Sequence, residues 1–379
     1  MKTALIVGGT AATGVPIAGE LERRGFEITL YHRGTHEVDA LQHLEHIHGD
    51  PHDAHAIDRD LAGRRWDVTV ATYGRIRHIA QALRGRTGQF VSIGGIPVVD
   101  LLEGVPLRET HPYVSREAAP AGLKGLLPRI IETERAVLGL HASGEFVATV
   151  VRYPYVYGPH SVVPMEWHVI RRVLDQRKTW ILQGGGLAIG GRCAAPNAAH
   201  LVGLILDQPG VAGGQSYHAA DDRQFTQHEW IRMVAAAMDY EFEFEDIPAS
   251  IVPLGTSAVP MAGEYSWARS LETSLGLQRH TLVSNRKSFA ELGYRDVVEP
   301  AKWIRRTVEY WLANPPLIDG QQGRFMPREF DYSAEDALLA FWNAVKAKAG
   351  TYGVPLLKSH PYDHPPVSHQ KSDLCPDSR

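Results

Sequence analysis

Ile6–Leu21 reads IVGGTAATGVPIAGEL, and the fold turns on this stretch. The apolar run Thr3–Val7 (TALIV) stops at Gly8. Val15, Ala18 and Leu21 then recur at helical spacing, and Gly25 stands where a helix C-cap glycine is favoured. A strand, a glycine turn and a helix in that order make an anion-binding corner. Gly8 lets the chain turn tightly, Ala11 is small enough for the backbone to approach a pyrophosphate, and Gly14 lets the helix pack closely on the sheet. Thr10, Ala12 and Thr13 complete the loop, whose helix amides would face the anion.

Working outward, apolar runs alternate with amphipathic stretches. Glu27–Tyr31, Leu44–His48, Asp67–Ala71, Gln89–Ile93 and Phe146–Arg152 read as further strands, and Arg75–Leu83 and Ile130–Leu140 as the clearest helices between them. Such alternation implies βαβ crossovers, hence an α/β fold with a doubly wound parallel sheet of Rossmann type. Past residue 160 the alternation loosens. Helical patterns at Trp167–Gln176, Ala198–Asp207, Thr226–Met238 and Pro300–Ala313 mix with the Gly/Pro-rich connections Gln183–Gly191 and Ile247–Gly263. We therefore expect a Rossmann core over residues 1–160 and a smaller mixed substrate-binding subdomain over 161–315. Gln183–Gly191 reads as a mobile flap. A C-terminal extension helix (316–350) follows, with Ser333 as N-cap and Leu338, Phe341, Trp342 and Val345 along one face. It packs either within the chain or, in a homodimer, against a second subunit. Residues 351–379 form a Pro/His-rich tail with the composition of unpacked chain.

Composition narrows the function classes. Apolar residues make up 44% and charged residues 22% of the 379, which excludes a collagen repeat, a coiled coil and disorder throughout. With 39 basic and 43 acidic side chains the net charge is −4, which leaves no electrostatic footprint for nucleic acid or an anionic membrane. The two cysteines, Cys193 and Cys375, form no CxxC pair and fit a reducing compartment. Glycines interrupt the start before a signal-peptide core can form, and no run approaches the ~18 apolar residues of a membrane span. A cytoplasmic protein is the expectation. His43, His46, His48, His52 and His55 crowd one region and His360, His364 and His369 another. Neither group has HExxH or Cys/His spacing, and no metal is expected.

The end of the second strand selects the cofactor. A carboxylate there would accept from the ribose 2′-hydroxyl of NAD, but the sequence is Tyr31-His32-Arg33-Gly34. Arg33 can pair with a 2′-phosphate, so NADP is favoured over NAD, with His32 beside it. Asp50, after the third strand, is placed to accept from the adenine amino group, and Thr72 and Tyr73 follow the fourth strand at the same edge.

Three segments resemble one family. GGTAATG looks like the glycine motif of the extended short-chain dehydrogenase/reductases, the NAD(P)-dependent epimerase/dehydratase group, with Ala11 in place of the middle glycine. Val151–Pro159 (VRYPYVYGP) resembles that family's RPxxVYGP segment, with Tyr153 at the first proline. Gly184–Ala199 is similar to the stretch before its VDVA helix, with Asn197 where an aspartate is usual. Ser284–Tyr294 and Pro300–Pro315 resemble its closing helices, so the likeness covers residues 1 to 315. It implies that Tyr153, Pro154 and Val156 border a nicotinamide, and that the substrate is a small molecule, a sugar nucleotide or a secondary-metabolite carbonyl or enone.

The departure from the family lies at the catalytic pair. Its YxxxK tyrosine and lysine should stand on the helix LKGLLPRIIETERAVL. Registering Glu134 on the family's helix glutamate puts Leu126 and Ile130 in their places. Gly94-Gly95 occupies the position of the expected serine pair. Either the acid comes from elsewhere, with Tyr155 and Tyr157 preferred over His160, Lys124 and Tyr73; or hydride moves without a protein acid; or catalysis is lost and the chain is an NADP(H)-binding regulator or interaction protein. The enzyme reading is favoured.

Overall fold

The computed structural model describes residues 2–100, 103–119, 124–248, 251, 280–317, 330 and 332–349. Six strands, β1 (Lys2–Val7), β2 (Phe26–His32), β3 (Glu45–His48), β4 (Trp66–Ala71), β5 (Thr87–Gly95) and β6 (Val147–Tyr153), join an edge strand, Ser216–His218, in one sheet. Every pairing is parallel, in the order β3-β2-β1-β4-β5-β6-(Ser216–His218). The fold is the doubly wound α/β fold read from the sequence. Strand order reverses between β1 and β4, which opens the crevice where such sheets bind ligands.

The apolar strands are explained by burial on both faces. In β1, Ala4 and Ile6 pack with Ile17 and Leu21 of helix α1 (Gly14–Arg23), while the alternate residues Leu5 and Val7 enter a separate core. That second core is built by Ile57 of α2 (Ala54–Asp60), Ile79 of α3 (Ile76–Ala82) and Val137 of α4 (Leu127–Ala142). A period-2 chain with both faces covered must be apolar at every step. A third core, which contains no residue of that sheet, gathers Trp180, Trp230 and Trp311 around Tyr155, Tyr157 and Ile170 of α5 (Glu166–Leu174).

Four features differ from the sequence reading. Helix α2 (AHAIDRD) is short and polar, and stands because Asp53 caps it by accepting from the His55 amide at 2.9 Å while Ala56 and Ile57 are buried. The edge strand has only three residues, too few to show a period. Ser333, expected as a cap, is the first residue of the helix Ser333–Ala349. Gln183–Gly191, expected as a flap, is tied down: the Gly185 amide donates to Asp246 at 2.9 Å and the Gly191 amide to Thr281 at 3.1 Å.

The chain divides into two units, residues 1–336 and 337–379, and only 337–349, which are helical, are described in the second. The tail 351–379 and most of Ile247–Gly263 lie outside the described residues. Among the described residues, no helix is long and apolar enough to cross a membrane.

Candidate active site

The β1–α1 loop has the geometry that its glycines imply. Gly8 and Gly9 hold φ of +88° and +89°. A Cβ at Gly14 would lie 1.5 Å from the Gly9 carbonyl oxygen, so only glycine lets α1 begin there. The Gly8 amide donates to Tyr31 O at 2.9 Å and the Gly14 amide to Ala11 O at 2.9 Å, folding Thr10–Thr13 over the end of the sheet.

The remaining expected cofactor residues partly assemble around this loop. A Cβ on Gly8 would meet Thr72 Oγ1 at 2.6 Å and Tyr73 Cβ at 2.8 Å, which fixes the β4 end against the loop. The Arg33 guanidinium stands exposed, 5.8 Å from the centroid of the Tyr73 ring. Asp50 is exposed, its Oδ1 accepting from the His52 amide, and His52 meets Tyr73 edge-on at 4.6 Å. Burial holds the Tyr153 phenol protonated, with Cys193 and the Thr13 hydroxyl near it. Pro154 lies against Gly191, and Val156 pairs with Cys193 in a short parallel ladder. His32 does not join this group. It is 4% exposed, Nδ1 accepts from the Gly34 amide at 3.3 Å, and Nε2 lies 2.9 Å from His46 Nδ1.

The structure also shows what the proposed acids touch. Tyr155 donates to the Glu166 carboxylate at 2.9 Å and accepts from the Met165 amide at 3.1 Å. Burial raises Glu166 to about 7. Tyr157 is fully buried and donates to Asp221 at 2.9 Å. Both hydroxyls are thus engaged by buried carboxylates, inside the core that gathers Trp180, Trp230 and Trp311. His160 adopts φ +61°, places Nδ1 3.0 Å from the Tyr310 hydroxyl, and is pushed below the usual histidine range by burial. Lys124 is exposed, just ahead of α4.

A different polar group lies where α4 meets the end of β5. A Cβ at Gly94 would lie 3.1 Å from Glu134 Oε1 and 3.9 Å from Ile130 Cγ2. Gly94 and Ile130, which the sequence reading registered on the family's serine and lysine, are therefore neighbours here. Glu134, on α4, is 1% exposed and accepts from Arg152 of β6 at 2.9 Å and from the Tyr113 hydroxyl at 3.0 Å. The Arg152 guanidinium also lies 5.3 Å from the Tyr113 ring centroid. Burial and the Glu134 charge raise the Tyr113 phenol above its ordinary value. Beside this group His218, fully buried, is driven down to about 3 by burial and by Arg152, and its amide donates to Glu109 at 2.8 Å. Sequence reasoning used Glu134 only as a register mark and passed over Tyr113. The available signal was Arg152, a charge at the end of the strand run Phe146–Val151 that otherwise reads as apolar and so needs a partner of opposite sign.

Asn197, near the start of α6 (Ala195–Asp207), shows why an amide suits that position. Its Nδ2 donates to Asp221 at 2.7 Å while its Oδ1 accepts from the Val297 amide at 2.8 Å. An aspartate would set two carboxylates face to face.

No protein-family model matches the sequence, and no curated protein matches it either. Solved structures do match. A dTDP-glucose 4,6-dehydratase from Streptomyces venezuelae, solved with NAD bound, superposes with a TM-score of 0.61 at 18% identity, covering 82% of this chain and 97% of that one. This chain has that fold. The epimerase Mth375 of Methanothermobacter thermautotrophicus gives 0.65 at 14% identity, covering 83% and 93%. A UDP-glucose 4-epimerase from Thermus thermophilus, in complex with NAD, gives 0.62 at 17%, covering 82% and 99%. The resemblance to the epimerase/dehydratase group read from the loop and from VRYPYVYGP is thus matched at the level of the sheet and its helices.

Proposed function

We propose that the protein is a nicotinamide-dinucleotide-dependent oxidoreductase, or an epimerase/dehydratase-like enzyme, acting on a small molecule, and that it takes NADP in preference to NAD. The observation that carries this reading is the Gly14 contact. A helix start that excludes even a methyl group, after two glycines at positive φ, is the tight strand–turn–helix corner on which such folds hold a pyrophosphate. A nicotinamide held there would supply or accept hydride. Arg33 supports NADP, because it stands exposed at the β2 end where a 2′-phosphate would sit and Tyr31–Gly34 offers no carboxylate. The similar structures described with NAD leave that preference to be measured. In place of the absent tyrosine–lysine pair, Tyr113 is our candidate proton donor. Its hydroxyl is held by Glu134 beside Gly94, and its raised pKa keeps it protonated through neutral pH. A sugar nucleotide and a secondary-metabolite carbonyl or enone are both consistent substrate classes. A cytoplasmic location is part of the same proposal.

The test is titration of the full chain with NADPH and NADH, followed by nucleotide fluorescence. Tighter NADPH binding supports the reading, and binding of neither overturns it. The second reading, a regulator that binds NADP(H) without turnover, is favoured by Leu126 and Ile130 at the family's catalytic positions. It predicts tight binding with no hydride transfer to any carbonyl substrate tried.

A further inference from the structure

The C-terminal ends of β2 and β3 carry three histidines on one face. Within β3, His46 and His48 are two residues apart and so point the same way, and in the parallel register His32 lies opposite His48 and Leu30 opposite His46. The loop leaving β2 brings Glu37 to the same spot, and it can pass over His48 because Gly34, at φ +70°, has no Cβ. A Cβ there would come within 3.2 Å of the imidazole.

The donor atoms of His32, Glu37, His46 and His48 all lie within 4.8 Å of one another. His48 Nε2 is 3.4 Å and His46 Nδ1 3.6 Å from a Glu37 oxygen, and His32 Nε2 is 4.0 Å from Glu37 and 2.9 Å from His46 Nδ1. Tetrahedral zinc, with bonds of 2.0–2.1 Å, separates its ligand atoms by about 3.4 Å, and these spacings bracket that value. His46 is already oriented for the task. Its Nε2–H donates to Leu41 O at 3.0 Å, which leaves Nδ1 with its lone pair facing the cluster, and a backbone carbonyl is a usual outer partner of a metal-bound histidine.

We propose that Glu37, His46 and His48 form a binding site for a divalent cation of zinc type, with His32 as the fourth ligand. Three imidazoles and a carboxylate are borderline donors that suit zinc rather than magnesium or calcium. His32 enters the set by exchanging its Nε2 proton for one on Nδ1, at the cost of the long bond from Gly34. Glu37 and His48 are exposed, so the site opens to solvent and the ion has a path in. The ion would fasten the loop that carries Arg33 onto the sheet edge.

The experiment uses the full chain without an affinity tag, stripped with a chelator and titrated with Zn²⁺ against a chromophoric competitor. The expected result is one ion per chain at micromolar affinity or better, and an unfolding midpoint that rises with Zn²⁺. His48→Ala and Glu37→Ala, both at exposed positions, should each weaken binding at least about tenfold and abolish the rise while leaving the fold intact. A triple variant, His360→Ala, His364→Ala and His369→Ala, should keep the ion. Failure of the wild type to take up Zn²⁺, equal affinity in His48→Ala and wild type, or loss of binding in the triple variant would each overturn the proposal. None of these readouts depends on a dinucleotide, so they stand or fall apart from the cofactor reading.

Discussion

Glu134 of α4 and Arg152 of β6 form an ion pair at 2.9 Å, with side chains 2% and 4% exposed, beneath Gly94 at the end of β5. The pair clamps the crossover helix onto the sheet at the end of β5. Two charges this deep are held by each other and by the Tyr113 hydroxyl. Burial opposes the Arg152 charge, and Glu134 more than restores it.

Removing one partner leaves the other charged and buried. Glu134→Gln or Arg152→Met is expected to lower unfolding stability by about 3–5 kcal/mol, measured by denaturant titration. A loss below about 1 kcal/mol would mean that the pair is solvated in solution.

Tyr113→Phe separates catalysis from packing. Phenylalanine keeps the ring against Arg152 and removes only the hydroxyl, so kcat should fall at least about tenfold while stability drops by the one hydrogen bond to Glu134, about 1.5–3 kcal/mol. Because the Tyr113 phenol is raised above its ordinary value, ionisation of Tyr113 should not lower the wild-type rate on the alkaline side until above the range where a free tyrosine ionises. Unchanged turnover in the variant excludes Tyr113 as the donor.

Tyr155 and Glu166 should report on stability instead. Glu166 is raised from 4.5 to about 7, so its neutral form is the one that the fold prefers. That contribution is complete below the unfolded value and is lost as pH rises through about 7, a difference on the order of 3 kcal/mol. Buried His168 and His218, lowered to about 3, slope the other way between about 3 and 6.5, so the comparison must be wild type against Glu166→Gln. The variant should gain stability relative to wild type as pH rises from 5 to 8, and parallel curves would count against the shift.

Arg33→Ala tests the cofactor choice. The guanidinium is exposed and its removal costs the fold little, so NADPH affinity should drop about tenfold while NADH affinity stays within a factor of two. Equal losses for both nucleotides would make Arg33 a general anchor rather than a selector.

Much of the sheet was legible because its physics is local. Five of the seven strands announce themselves as apolar runs and β3 (EHIH) as a weaker one, and the glycines at 8 and 14 mark a turn whose backbone forbids other residues. Helix α2 and the edge strand Ser216–His218 were not legible, since seven residues with one large apolar side chain and three mixed ones carry no period above noise. The site divided in the same way. The loop, Arg33 and Thr72 could be placed from motif and strand ends, but the fate of a tyrosine could not. Tyr155, Tyr157 and Tyr113 look alike in sequence, and only their partners tell them apart: Glu166, Asp221 and Glu134.

The sequence by itself determined the strand–glycine–helix start, the alternation that makes the sheet parallel, and the absence of a tyrosine followed four residues later by lysine. Those properties belong to neighbours along the chain. Only the tertiary structure decided that Glu134 meets Arg152, and that His32 stands across from His48 with Glu37 above them. Such contacts depend on strand register and crossover packing. A shift of one residue in the β2–β3 register would turn the histidines of β3 to the other face, and nothing local to His46 or His48 records which register is chosen.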